Sequence, residues 1–184
     1  MRKADKWNLL LVNYENPMPK GYIYNLVSLK NGECVDKRVY KHLINMIKHA
    51  EKDNVFMSVT WGYRSETVQT YLFKLDLLEK EGNGLTPEEA MTETKKYVAS
   101  PTESEHHSGL AVDIDPIEGR STLDEVYDWL SENAYKFGFV LRYPEDKTDI
   151  TKICFEPWHY RFVGKKEAKE MHQRKICLEE YLAE

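Results

Sequence analysis

Cysteine is scarce in this chain and poorly placed for cross-links. Cys34, Cys154 and Cys177 are the only three, an odd count with wide spacing that excludes a disulfide framework and a CxxC zinc knuckle, so they read as reduced thiols. Long apolar runs are also missing. The amino terminus, MRKADKWNLLLVNYENP, begins with charge and holds only four consecutive apolar residues, too few for a signal-peptide core or a membrane span, so a cytoplasmic location is expected. With a net charge of -5 and scattered positive residues, no basic stripe exists to neutralise phosphates, and nucleic acid is excluded as a partner. Glycine and proline number only 9 and 7, against 41% hydrophobic residues in a chain of 184. No repeat or low-complexity tract appears, and one domain with one well-filled core is expected over residues 1–184.

What the chain does hold is concentrated in two short segments, SEHHSGLAVD from Ser104 to Asp113 and EPWH from Glu156 to His159. The first offers His106 and Asp113; the second offers His159, with Glu156 three positions before it. Two imidazoles and one carboxylate match the shell of a catalytic zinc, which keeps a fourth position for water and lowers its pKa from about 15.7 towards roughly 7. One anion cancels only part of the metal charge, so the ion stays acidic. Glu156 then reads as the general base, and Pro157 argues against the interior of a regular helix there. A hydrolase of this kind needs a cation where an oxyanion develops. Arg64 in VTWGYRSE is the candidate, with Gly62 allowing a sharp turn from strand to helix.

Each choice has a plainer rival. His107 competes with His106 for the metal, but an extended chain would point it the other way. Arg64 taken alone reads as an ion-pair partner; in company with the other groups it reads as catalytic. Asp115 and Glu118 are explained by the turn DPIEG without a second metal. His42, His49 and His172 read as surface or core histidines, and Cys154, between Ile153 and Phe155, as a packed thiol rather than a nucleophile.

The patterning predicts an α+β fold with a mainly antiparallel central sheet flanked by helices. Residues 1–35 read as a small strand layer, containing NLLLVN and a two-residue hairpin turn at Asn31-Gly32. Asp36 caps a helix with Val39, Leu43, Ile47 and Ala50 on one face, and Val55 to Trp61 is a strand. Ser65 caps a helix to about Lys80, and after the break at Gly82 to Gly84 a capping box at Thr86-Pro87-Glu88-Glu89 opens another, ending near Val98. Ser100 to His107 is expected as loop and GLAVDI as a strand with Leu110, Val112 and Ile114 on the core face. Ser121 to Tyr135 follows as a helix, Phe139 to Arg142 and Ile153 to Val163 as strands, and the end from Lys165 as helical.

The segments together resemble the zinc D-alanyl-D-alanine carboxypeptidases and dipeptidases of the vancomycin-resistance type and their L,D-carboxypeptidase relatives. The pattern Ser-x-His-x-x-Gly-x-Ala-x-Asp is met by Ser104, His106, Gly109, Ala111 and Asp113, Glu-x-x-His by Glu156 and His159, and GYR by Gly62, Tyr63 and Arg64. GFVLRYPEDK, Gly138 to Lys147, looks like the segment between the metal motifs. The likeness spans about Val55 to Gly164, the expected catalytic core. It implies His106, Asp113 and His159 on zinc, Glu156 as base, Arg64 at the tetrahedral intermediate, and Gln69, Ser104 and Tyr143 in contact with substrate, with Trp158 shaping the pocket floor. The implied activity is removal of the terminal D-Ala from peptidoglycan precursors ending in D-Ala-D-Ala, or cleavage of the free dipeptide. L,D-carboxypeptidase action on tetrapeptide stems shares the same metal motifs. A silent zinc module that only binds wall peptides could lack Glu156 or Arg64, and this chain has both.

Overall fold

The computed structural model describes residues 6–183. The charged start, part of the expected strand layer, and Glu184 lie outside the described residues. In chain order the elements are β1 (Leu26–Ser28), β2 (Cys34–Asp36), α1 (Lys37–Lys52), β3 (Met57–Trp61), α2 (Glu66–Gly82), α3 (Pro87–Thr94), β4 (Ala111–Pro116), α4 (Leu123–Asn133), β5 (Phe139–Leu141), α5 (Thr148–Thr151), β6 (His159–Phe162), α6 (Lys165–Arg174) and α7 (Leu178–Leu182). Strands β3, β4, β6 and β5 pair in that order, antiparallel throughout, while β1 and β2 form a separate hairpin. This is the α+β arrangement that the patterning predicts.

Period-two alternation decides which sheet face carries chemistry. Leu110, Val112 and Ile114 are fully buried against Val39, Leu43 and Met46 of α1 and Val126 and Leu130 of α4, which turns Ala111 and Asp113 to the opposite face. In β6, Tyr160 joins the same core while His159 and Arg161 share the other face. The register pairs Asp113 with His159 and Ala111 with Arg161, so two candidate ligands are cross-strand neighbours. A second apolar cluster of Leu9, Val140, Val163, Ala168, Met171, Leu178 and Tyr181 seats α6 and α7.

The Asp36 side chain accepts from the backbone N–H of Arg38 at 2.8 Å and caps α1, as expected of an N-cap aspartate. Behind it, β2 presses against both ends of the site. A Cβ at Gly62 would stand 2.2 Å from the Cys34 carbonyl oxygen, and one at Gly109, already at φ +70°, would stand 2.9 Å from the Asp36 nitrogen.

Several expectations are corrected. NLLLVN is not a strand: Trp7–Leu9 is a single 3-10 turn, and the carbonyls of Asn8 and Leu10 accept from the Arg161 guanidinium rather than from a neighbouring strand. The hairpin loop has three residues, Lys30 to Gly32, closed by the Leu29 N–H on the Glu33 carbonyl at 2.7 Å, with Gly32 at φ +94°, as in loops of the G1-bulge kind. The third helix stops at Thr94. The strand expected from Ile153 begins only at His159, because the N–H groups of Cys154 and Glu156 donate to the carbonyls of Lys96 and Tyr143. The carboxy-terminal helix is two helices, broken at Lys175 with φ +53°.

Candidate metal centre and active site

Three short elements bring the candidate ligands together. The segment Ser100 to His107, expected as loop, ends in a 3-10 turn at Glu105–Ser108, and this turn aims neighbouring side chains in different directions. His106 points to Asp113 of β4 and His159 of β6, with the two imidazoles edge to face at 4.8 Å between centroids. One donor atom from each of His106, Asp113 and His159 lies within 4.8 Å of the others, and all three residues are buried. His107 is turned away, its Nδ1 2.6 Å from the Arg64 carbonyl and its Nε2 against the Pro101 carbonyl.

The outer nitrogens decide the chemistry of the inner ones. His106 Nδ1 is 2.7 Å from the Gly62 carbonyl oxygen, which accepts only, so this nitrogen donates and Nε2 keeps a bare lone pair. His159 Nε2 stands 3.0 Å from Glu105 Oε1, which by the same reasoning leaves Nδ1 bare. The two lone pairs face the Asp113 carboxylate, His106 Nε2 at 3.3 Å from Oδ2 and His159 Nδ1 at 3.1 Å from Oδ1. Asp113 Oδ1 is buried without a hydrogen-bond donor. Three acceptor atoms converging at this range fit a cation held between them. Ligands about 2.0–2.1 Å from a tetrahedral zinc stand about 3.3 Å from one another, close to both separations. The residues present fit zinc.

Electrostatics point the same way. Burial opposes charge on Asp113, yet His106 and His159 hold its carboxyl well below the usual carboxylate range. Burial likewise opposes charge on His159, but the neighbouring carboxylates of Asp113, Glu105 and Glu156 outweigh it and raise its pKa well above the usual value. Nδ1 of His159 thus sits in a field that attracts a proton or a metal cation.

The chain belongs to the VanY family. The family model, described as D-alanyl-D-alanine carboxypeptidase, matches residues 32–165, a span that opens earlier than the likeness from Val55. A D-alanyl-D-alanine carboxypeptidase of Enterococcus faecalis is 44% identical over 177 residues, covering 96% of this chain and 66% of that protein. The chain therefore spans just under two thirds of that relative's length. Among solved structures, a mutant of the vancomycin resistance D,D-pentapeptidase VanY in complex with Zn(II) superposes with a TM-score of 0.94 at 44% identity, covering 96% of this chain and 99% of that one. VanYB in complex with D-alanine-D-alanine gives 0.95 at 44% identity, with 97% and 98% covered.

Around the candidate metal ligands of this VanY-family chain lies a cleft of about 440 Å³, lined by Arg64, Gln69, Ser104, Tyr143, Glu156 and Trp158 among others. All five of the expected catalytic and substrate-contacting residues are in that wall. Glu156 Oε2 is 3.3 Å from His159 Nδ1. Arg64 Nη2 is 3.5 Å from Asp113 Oδ2, its Nη1 donates to Gln69 Oε1 at 2.9 Å, and its plane lies over the Trp61 ring. Its Nε is buried without a partner, and burial lowers its pKa against the pull of Asp113, Glu156 and Glu33. Gln69 donates in turn to the Ala99 carbonyl at 2.7 Å, so its side chain reaches the site by holding Arg64. The Tyr143 ring packs on His159 at 4.8 Å, and burial, reinforced by Glu105, pushes its hydroxyl pKa well up.

Glu105, Arg142 and Arg161 do not emerge from the sequence as site residues. The available signal is weak: Arg161 stands two residues from His159, which puts both on one face of a strand, and Glu105 is embedded in the histidine motif itself.

Proposed function

We propose that this protein is a zinc D,D-carboxypeptidase that removes the terminal D-Ala from peptidoglycan precursors ending in D-Ala-D-Ala, and that it also splits the free dipeptide. The convergence of His106 Nε2 and His159 Nδ1 on the Asp113 carboxylate, with Glu156 beside them, carries the reading. A zinc ion held by these three residues supplies Lewis acidity, polarising the scissile carbonyl and lowering the pKa of water.

The chain's own residues do the rest. Glu156, on the cleft wall, takes a proton from the attacking water and returns it to the leaving D-Ala nitrogen. The Arg64 guanidinium faces the charge developing on the carbonyl oxygen, and because Gln69 and Trp61 already hold it, little reorganisation is needed. Ser104 and Tyr143 line the cleft where the peptide lies, and Trp158 borders it. A cytoplasmic site of action, on soluble precursors, belongs to the same reading; fractionation of cells expressing the gene from its own start tests it.

Product analysis of zinc-loaded protein with D-Ala-D-Ala, a pentapeptide and a tetrapeptide tests the activity. Release of D-Ala from the first two is expected; cleavage of the tetrapeptide alone would make it an L,D-carboxypeptidase, and no release from any would leave a binding module. Glu156→Ala should still bind zinc and lose turnover. Retained turnover would remove Glu156 from the role of base.

A further inference from the structure

We propose that Glu105 is a positioning residue for this site: clamped by Arg142 and Arg161, it sets the tautomer and orientation of His159, and Arg142 extends the clamp to Glu179 on α7. The inference rests on the zinc reading above and deepens it.

Glu105 uses its two oxygens for different purposes. Oε1 meets His159 Nε2 at 3.0 Å, while Oε2 accepts from Arg142 Nε at 2.9 Å and from Arg161 Nη1 at 3.0 Å. The side chains of all three charged residues are 0% exposed. With both oxygens occupied the carboxylate plane is fixed, and so is the nitrogen of His159 that must carry the proton. Nδ1 is then the only nitrogen left for the metal.

The clamp continues outward in both directions. Arg142 Nη1 and Nη2 donate to the Glu179 carboxylate at 2.9 and 2.7 Å, and Asn13 Nδ2 donates to Glu179 Oε1 at 3.0 Å. Arg161 Nη2 donates to the Leu10 carbonyl at 2.6 Å. Two carboxylates thus balance two guanidiniums. A buried ion network of this kind adds little stability over apolar packing; its contribution here is direction. Asn13, Leu10 and Glu179 all lie outside the matched span of 32–165, so the flanking segments reach a metal ligand through Arg142 and Arg161.

Zinc affinity of the full chain, measured by chelator competition, tests this, with cobalt(II) absorption as a second readout and thermal melting in parallel. Glu105→Gln should weaken zinc binding about 10- to 100-fold, the range for partners of metal ligands, and shift the cobalt bands. Glu179→Gln should weaken it about threefold in the same direction, a small fraction of that range. Glu167→Gln removes another buried carboxylate, paired with Lys6 at 2.9 Å, and should leave zinc binding unchanged. Wild-type affinity and cobalt spectrum in Glu105→Gln would overturn the proposal, as would an equal loss in Glu167→Gln. An unchanged Glu179→Gln would overturn the extension to α7. If a glutamine variant fails to fold, Glu105→Asp and Glu179→Asp, which keep the charge at shorter reach, carry the same comparison. Wild-type protein that bound no zinc would sink the function reading instead.

Discussion

Two glutamates flank one imidazole at similar range, Glu105 on Nε2 at 3.0 Å and Glu156 on Nδ1 at 3.3 Å, and their surroundings are opposite in kind. Glu105 is sealed between two guanidiniums, whereas Glu156 stands on the cleft wall, where water and a leaving amine can reach it. Gln69 is the other residue whose work depends on its neighbour. Gln69→Ala removes the acceptor that holds Arg64 Nη1. A hydrogen bond to a charged group contributes about 1.5–3 kcal/mol, so kcat/KM should fall about 10- to 100-fold with zinc affinity unchanged. Steady-state kinetics beside a zinc titration would show it, and a loss of zinc binding would contradict it. At this scale the candidate ligand types and the candidate base Glu156 are legible in the sequence, because metal chemistry restricts donors to a few side chains at recognisable spacing. Glu105 is not, since a glutamate beside a histidine is common and its meaning comes from Arg142 and Arg161.

Among the elements, β4 and the α1 cap show how local patterning positions the site. Period-two alternation puts Asp113 on the face opposite Ile114, and pairing with β6 sets His159 beside it. Asp36 ends β2, caps α1 and receives an ion pair from Arg38 at 2.6 Å, and its N–H donates to the Gly109 carbonyl. Asp36→Ala should cost about 1–2 kcal/mol through the lost cap. In a chain of this size that lowers the melting temperature by about 2–8 °C, which calorimetry would detect; an unchanged melt would mean that water satisfies the helix end equally well. Helices α1 and α3 are readable from their caps because a cap involves residues two or three apart. NLLLVN and Ile153 to Trp158 read as strand, and are not, for the converse reason. Their backbone groups meet Arg161, Lys96 and Tyr143, more distant in sequence, and composition carries no record of those partners.

Across the whole molecule, electrostatics and metal binding make stability depend on conditions. Burial alone would raise the Glu179 pKa, but Arg142 and Asn13 bring it below its ordinary 4.5. A depressed carboxylate contributes stability that is fully present above pH 4.5 and is lost as pH falls through the lower folded value. The stability difference between wild type and Glu179→Gln should therefore shrink on acidification below about pH 4.5; a difference independent of pH in urea titrations would refute the assignment. Zinc bound only by the folded chain adds about 2.7 kcal/mol at 100 times its Kd, so a chelator should lower the melting temperature by several degrees, reversibly on adding zinc. Among the described residues no helix is long and apolar enough to cross a membrane.

The amino-acid sequence by itself determined the candidate donor set, the candidate base Glu156 and the alternation that makes an α+β sheet, because spacing and periodicity are properties of neighbouring residues. Only the tertiary structure decided which nitrogen of each histidine faces the Asp113 carboxylate and which charges stand behind it. The choice at His159 depends on partners 37 to 56 residues apart in the chain, and such contacts exist only once the sheet has closed around them.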